Sequence, residues 1–181
     1  MKHSPVAEPE LSRPLQVDKI AAGGVAEHVV ARAAERKALA KRFDLLDLPK
    51  LEADLNVDHA QGQMLAVTGT LSADVVQQCV VSLEPVPTQI KANIDTLFAP
   101  AALLDVGANP PHAEEVENDA PEPIVNGLID LGELVAQHLG IALDPYPRKQ
   151  GVELNGATFG PAKSVSNPFA KLAELKNKAK R

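Results

Sequence analysis

The strongest constraint on the fold is the region 51–98, in which apolar and polar side chains alternate along several consecutive segments. Residues 51–58 read LEADLNVD, the alternation resumes at 65–71 and 90–98, and another apolar segment occupies 75–83. A period of two sends successive side chains to opposite faces of a β-strand. Because the segments follow one another at hairpin spacing without a helix between them, they predict an antiparallel meander with one buried face.

Helical patterns flank this region, and a shorter alternating segment at 15–20 predicts one more strand. The sequence AAERKALAKRF at 33–43 is rich in helix formers. Apolar residues at helical spacing predict a second helix at 130–142, with Asp130 as its N-cap and Glu133 as a capping-box acid. The whole pattern predicts an α+β fold: an antiparallel sheet, open or curled toward a barrel, with both helices packed on it.

Charge is segregated along the chain, although its formal sum is only −6. No Lys or Arg lies between Lys91 and Arg148, whereas basic residues outnumber acidic ones after Pro147. Pro, Ala, Asn and acidic residues near 100–126 predict a flexible, solvated loop. The chain therefore has an acidic middle and a basic end.

Two parts of unequal size are predicted from these patterns. One is an α+β domain over residues 1–147 that carries the acidic loop, and the other is a basic, partly disordered tail over 148–181 with a short helix at 169–180. Residues 1–14 do not resemble a secretory signal, and no run of about 18 apolar residues predicts a membrane span. We expect a cytoplasmic protein that contacts no membrane.

The sequence offers no catalytic or metal-binding constellation. The five histidines are scattered, and the single cysteine, Cys79, excludes an intrachain disulfide and a cysteine-based metal site. Its neighbours Val80 and Val81 favour a buried strand position, where the pKa of the thiol would be raised. The alternative interpretation makes Cys79 a nucleophile. We expect no catalytic residue, no cofactor, no metal and no enzymatic activity.

The low aromatic content, 3% with no Trp, argues against an aromatic surface that stacks RNA bases, and the net acidity argues against DNA binding. The basic end is the segment that predicts RNA phosphate contacts, and a solvated tail is the alternative. The candidate contact residues are Arg148, Lys149, Lys163, Lys171, Lys176, Lys178, Lys180 and Arg181.

An ordered set of short motifs resembles a known family. The motifs are VTGTL (67–71), CVVSLEPV (79–86), LFAP (97–100), IDLGEL (129–134) and LDPYPRK (143–149). In this order and spacing they resemble the YceD family of bacteria and plastids, in its alphaproteobacterial form, over roughly residues 12–176. The residues that carry the resemblance are Gly69, Cys79, Leu83, Glu84, Pro85, Leu131, Asp144 and Pro145.

The resemblance implies a non-enzymatic role in the accumulation of 23S ribosomal RNA and in maturation of the large ribosomal subunit. The implied partners are a precursor of that RNA, a ribosomal protein, or both. An interaction adaptor that does not touch RNA and an unrecognised hydrolase are the alternatives. Many relatives carry a Cys-x-x-Cys pair here, and some a later cysteine group, which suggests a zinc site. Because Cys79 stands alone in this chain, no structural metal is carried over.

Overall fold

The structure is a computed structural model that describes residues 9–104 and 120–152. The described residues up to Lys149 belong to one compact unit. The domain boundary near 147 stays a prediction. The short helix predicted at 169–180 and the centre of the acidic loop lie outside the described residues.

Seven strands and three helices follow one another in the described part of the chain. They are β1 (Pro14–Gln16), β2 (Val25–Val30), α1 (Ala33–Arg42), β3 (Asp47–His59), β4 (Leu65–Gln78), β5 (Pro85–Pro100), α2 (Ala101–Leu104), β6 (Glu122–Ile124), β7 (Leu128–Asp130) and α3 (Leu131–Ala142).

The main sheet has the order β2-β3-β4-β5-β6, and its first four strands form an antiparallel meander. β6 adds to β5 in parallel, with Phe98 opposite Glu122, and β1 pairs with β7 in a separate two-stranded sheet. The α+β prediction is confirmed. Within the described residues β2 and β6 are the edges of the main sheet, so the sheet is open and does not close into a barrel.

The alternation in the sequence builds the core directly. Every second residue points inward in β4 and, from Leu51 to Val57, in β3, and the register places Leu55, Gly69 and Ile94 side by side across three strands. Leu39 of α1 and Leu139 of α3 are 0% exposed and belong to the same apolar cluster as the inner sheet face. Burying one such side chain contributes about 1.5–3 kcal/mol, so the sheet and both helices stabilise one another.

Two of the strand predictions were wrong, one in its extent and one in its existence as a separate strand. The predicted strand at 15–20 ends at Gln16 and continues as a 3-10 turn at Val17–Lys19, because its partner β7 offers only three residues for pairing. The separate strand predicted at 75–83 does not exist. Its first residues complete β4, and residues 79–84 form the turn into β5, with Leu83 at φ 62°.

The prediction of a flexible loop near 100–126 was wrong at the two ends of this range that the structure describes. Its start continues as the short helix α2, and its end forms β6, which pairs with β5. Asn126 (φ 51°) and Gly127 (φ 71°) then turn the chain into β7. Two successive left-handed residues suit Asn-Gly, the usual pair of a tight hairpin turn. Residues 105–119 lie outside the described part of the chain.

The two predicted helices are confirmed, but their capping differs from the prediction in one respect. The Asp130 side chain accepts hydrogen bonds from the backbone N–H groups of Gly132 (2.9 Å) and Glu133 (3.3 Å), as an N-cap should. The carboxylate of Glu133 does not complete a capping box. It lies 2.9 and 3.0 Å from the guanidinium of Arg42, so it ties α3 to α1 instead.

Candidate functional site

Tertiary structure brings two of the motif segments together. We call residues 79–84 the Cys79 turn and residues 143–149 the post-α3 segment. The backbone N–H of Val80 donates to the carbonyl of Pro147 (2.9 Å), and the amide of Gln77 donates to the carbonyl of Asp144 (2.9 Å). These bonds join the end of β4 to the chain that leaves α3.

The Cys79 turn is closed by its own backbone. The N–H of Cys79 donates to the carbonyl of Glu84 (2.8 Å), and the N–H of Leu83 donates to the carbonyl of Cys79 (3.0 Å). Leu83 adopts a left-handed φ of 62°, which costs a non-glycine residue roughly 1–2 kcal/mol. Since Leu83 is 65% exposed, burial of its side chain does not offset this strain.

The thiol of Cys79 is the buried centre of the turn, with 0% exposure. Its Sγ accepts backbone hydrogen bonds from Ser82 and from Lys149, both at 3.4 Å. Hydrogen bonding from the Ser82 side chain, then from these backbone groups, lowers the pKa of Cys79 to about 6, against the opposing effect of burial. The prediction that burial would raise this pKa was wrong, because it ignored the donors, and Cys79 lies in a turn rather than a strand.

A covered sulfur is not placed to attack a substrate in this conformation. Its observed contacts instead hold the Cys79 turn against the post-α3 segment through the N–H of Lys149. The geometry therefore favours a packing and tethering role for Cys79 over the nucleophile interpretation.

A groove of about 420 Å³ opens beside the turn, between the end of β4, the end of α1 and the post-α3 segment. Its lining includes Phe43 and the exposed side chains of Val80 (46%) and Leu83 (65%). Gln77 also lines it and is only 8% exposed; its Oε1 has no hydrogen-bond partner among the described residues. A buried acceptor without a donor costs about 1–3 kcal/mol, and no donor within the described residues offsets that cost for this oxygen.

Charge near the groove is partly neutralised. Lys149 Nζ lies 3.1 Å from Glu84 Oε2, and this contact holds the pKa of Glu84 below its usual value. Both side chains are about half exposed, so the pair contributes little to stability. Arg148 is exposed. The remaining predicted phosphate contacts lie outside the described residues: Lys163, Lys171, Lys176, Lys178, Lys180 and Arg181.

The residues that carry the family resemblance divide into two groups. Those of the first group lie on or beside the groove: Cys79, Leu83, Glu84, Pro85, Asp144 and Pro145. Gly69 and Leu131 lie elsewhere. Leu131 is 2% exposed in the core, and a Cβ on Gly69 would lie 2.1 Å from the carbonyl oxygen of Asp54, so these two positions have packing roles.

The donor set beside the groove does not fit a zinc ion. Three residues after Cys79 the chain has Ser82, whose hydroxyl is a much weaker zinc ligand than a thiolate. No group of three His, Cys, Asp or Glu residues within 9–104 and 120–152 is arranged to hold a metal. In this chain the Cys79 turn is held by hydrogen bonds.

Sequence reasoning missed Gln77 and Ser82. Gln77 had a detectable signal, because it occupies an inward position of the β4 alternation, where a polar side chain is unexpected. Ser82 had none, since its contact with Cys79 depends on how the turn folds.

Comparison with known proteins adds one positive finding. The sequence model of the family described as "Large ribosomal RNA subunit accumulation protein YceD" matches residues 67–176, which is more than half of the chain. The match includes both the Cys79 turn and the post-α3 segment. No curated protein and no solved structure matches the chain. Within the described residues, no helix has the length and apolar composition needed to cross a bilayer.

Proposed function

The chain belongs to the YceD family, and from that membership we propose that it is a non-enzymatic factor that supports 23S ribosomal RNA accumulation and assembly of the large ribosomal subunit. The observation that carries the proposal is the family match over residues 67–176. In this proposal the protein acts in the cytoplasm on a precursor of the large-subunit RNA, through RNA contact, through a ribosomal protein, or through both.

Absence of catalysis is part of the proposal. The one sulfur nucleophile of the chain is fully covered and engaged by two backbone N–H groups, those of Ser82 and Lys149. The carboxylates of Glu35 and Glu133 form ion pairs with Arg13 and Arg42 at 2.9–3.0 Å, and these pairs link separate structural elements. Both observations support a protein that binds rather than transforms its partner.

A protein-interaction adaptor is the second candidate function, and the groove beside the Cys79 turn favours it. The groove combines the exposed apolar side chains of Val80 and Leu83 with the unpartnered acceptor of Gln77. An apolar anchor that also brings an N–H or O–H group would fit this chemistry, since buried hydrophobic anchors dominate protein interfaces. A segment of a ribosomal protein would supply both features.

Sedimentation of cell lysate tests the proposal. The protein is followed by immunodetection across a sucrose gradient, and the RNA of each fraction is sequenced. We expect co-migration with precursors of the large subunit, together with reduced large-subunit RNA when the protein is deleted. A protein confined to light fractions free of RNA, with unchanged RNA levels on deletion, would overturn the proposed function.

A matched pair of variants separates the two candidates. Leu83→Asn removes an apolar side chain from the rim of the groove, and Asn tolerates left-handed φ values. Leu103→Asn, at a leucine of α2 that is 51% exposed, is the control. Loss of an RNase-resistant complex in the first variant but not in the second favours docking on a protein. Equal behaviour of both variants, with a complex that RNase abolishes, favours direct RNA contact.

A further inference from the structure

Helix α1 and its N-cap concentrate positive charge in an otherwise acidic chain. Residues 32–42 read RAAERKALAKR, which places five basic residues and one acidic residue in three turns of helix. The formal net charge of the whole chain is −6. The sequence prediction assigned phosphate contacts to the C-terminal end and gave this helix no role.

The structure divides these basic residues by their contacts. Arg42 is committed to Glu133 and Glu10 at 2.9–3.0 Å. Lys37 and Lys41 are exposed, and neither forms an ion pair or a side-chain hydrogen bond with any residue in 9–104 or 120–152. Two lysine charges of α1 therefore remain available to a ligand, as far as the described residues show.

Arg36 stands beside the lysines and is held in place. Its Nε donates to the carbonyl of Leu48 (3.1 Å) and its Nη1 to that of Ala31 (2.7 Å). Nη2 has no partner within the described residues. The guanidinium is thus fixed with one nitrogen free, which reduces the entropy that a further contact would cost.

Spacing puts the two lysines on one row of the helix. Lys37 and Lys41 are four residues apart, so their Cα atoms lie about 6 Å apart along the axis, on the same face. Ala33 extends that row toward the N-terminus with a small, exposed side chain. A chain of phosphates has room to approach this face closely.

A groove of about 550 Å³ runs between this face and residues 45–49. Arg36, Lys37 and Lys41 line it, and Asp47 is the one carboxylate among the lining residues. The Oδ1 of Asp47 accepts the N–H of Leu48 (2.9 Å). Three positive groups against one negative group leave the groove positive, and no aromatic side chain lines it.

We propose that this basic row of α1, formed by Lys37 and Lys41, binds the phosphate backbone of RNA with the help of the neighbouring Arg36; the inference rests on the proposed function. Repeated phosphates match repeated lysines, and each contact releases counterions. No aromatic side chain lines the groove, so the contact we propose is with phosphates and is independent of sequence. The site deepens the proposed function by placing an RNA contact inside the folded unit.

An anionic membrane is a poorer match for the same charges. A helix that lies on a bilayer must insert an apolar face between the lipids. The one large apolar residue of α1, Leu39, is 0% exposed because it packs in the core, and the exposed Ala33 and Ala34 present only a methyl group each. The free face of α1 therefore offers charge but no anchor.

The test uses the full chain and two variants with the same change in net charge. Lys37→Gln/Lys41→Gln removes the row, and Lys19→Gln/Lys91→Gln removes two exposed lysines outside α1. Glutamine keeps helix propensity close to that of lysine. Binding to a fluorescently labelled 23S ribosomal RNA transcript is measured by anisotropy between 50 and 200 mM salt, roughly the range over which phosphate contacts are screened.

Two lost phosphate contacts reduce the slope of log K against log salt by about 1.4–1.8. The wild type should therefore lose roughly 7- to 12-fold more affinity than the α1 variant over that salt range. The Lys19/Lys91 variant should match the wild type, and Lys37→Arg/Lys41→Arg should retain the slope. Equal slopes in the α1 variant and the wild type, with thermal unfolding unchanged, overturn the inference.

Two further arms exclude other partners and separate this inference from the proposed function. Equal or stronger binding to polyglutamate or to phosphatidylglycerol vesicles would assign the row to another partner and overturn the inference. If the α1 variant loses transcript binding and leaves the precursor fractions, both ideas gain support. If it stays in those fractions with its transcript binding intact, the inference fails and the proposed function stands. Absence of the wild type from those fractions defeats the proposed function instead.

Discussion

Replacing Gly69 with alanine probes the closest approach between strands in the sheet. Gly69 lies within β4, opposite Leu55 of β3 and Ile94 of β5. A Cβ at this position would lie 2.1 Å from the carbonyl oxygen of Asp54 and 2.9 Å from a methyl carbon of Leu55. The nearer obstacle is backbone, so no change of rotamer relieves it. To reach a contact of 3.0 Å, β3 and β4 must separate by about 1 Å at this point.

The expected cost follows from that displacement. Overpacking of a buried site costs about 1–3 kcal/mol, and each ladder hydrogen bond that lengthens forfeits part of about 0.5–1.5 kcal/mol. Alanine recovers about 0.5–1 kcal/mol, because glycine loses more backbone entropy on folding. The free energy of unfolding should fall by about 2–3 kcal/mol, a large share of the roughly 5–15 kcal/mol that stabilises a domain.

Equilibrium unfolding in urea measures this difference. Gly23→Ala is the matched control, because a Cβ on Gly23 meets no heavy atom within 4 Å. The control should be neutral or more stable by up to about 1 kcal/mol. If Gly69→Ala is as stable as the wild type, the close approach of the strands does not constrain this position, and the packing role given to Gly69 is wrong.

Three further predictions follow from side-chain contacts. Lowering the pKa of Cys79 from 9.0 to about 6 adds stability that is complete above pH 9 and lost as the pH falls toward 6. Cys79→Ala should flatten the unfolding free energy across that window; unchanged slopes would refute the ionisation. Arg13 holds the pKa of Glu35 below 4.5, so Glu35→Gln should cost about 1–2 kcal/mol at neutral pH, with the gap closing in acid. Gln77→Met removes both the unpaired acceptor and the bond to Asp144, and these two changes have opposite effects on stability. Thermal unfolding should therefore stay within about 1 kcal/mol of wild type. Loss of the side-chain amide should weaken partner binding.

The candidate site was predictable only in part. The motif residues around Cys79 and Asp144 were identified from the sequence, but nothing in their spacing showed that they meet. The buried thiol was foreseen and the direction of its pKa was not, because the shift depends on N–H donors from Ser82 and from the distant Lys149. The basic row of α1 had a plain signal in RAAERKALAKR. The net charge of the whole chain obscured it.

Periodicity along the chain was enough to predict an antiparallel meander over residues 51–98, both long helices and the inward position of alternate side chains. These features depend on periodicities of 2 and 3.6 residues, which are local and survive without knowledge of partners. Three features depend on tertiary contacts: β6 joins β5 in parallel, Glu133 ties α3 to α1, and the Cys79 turn docks on the post-α3 segment. Each of those contacts joins residues far apart in the chain, so their energies depend on which surfaces meet, and no local pattern records that.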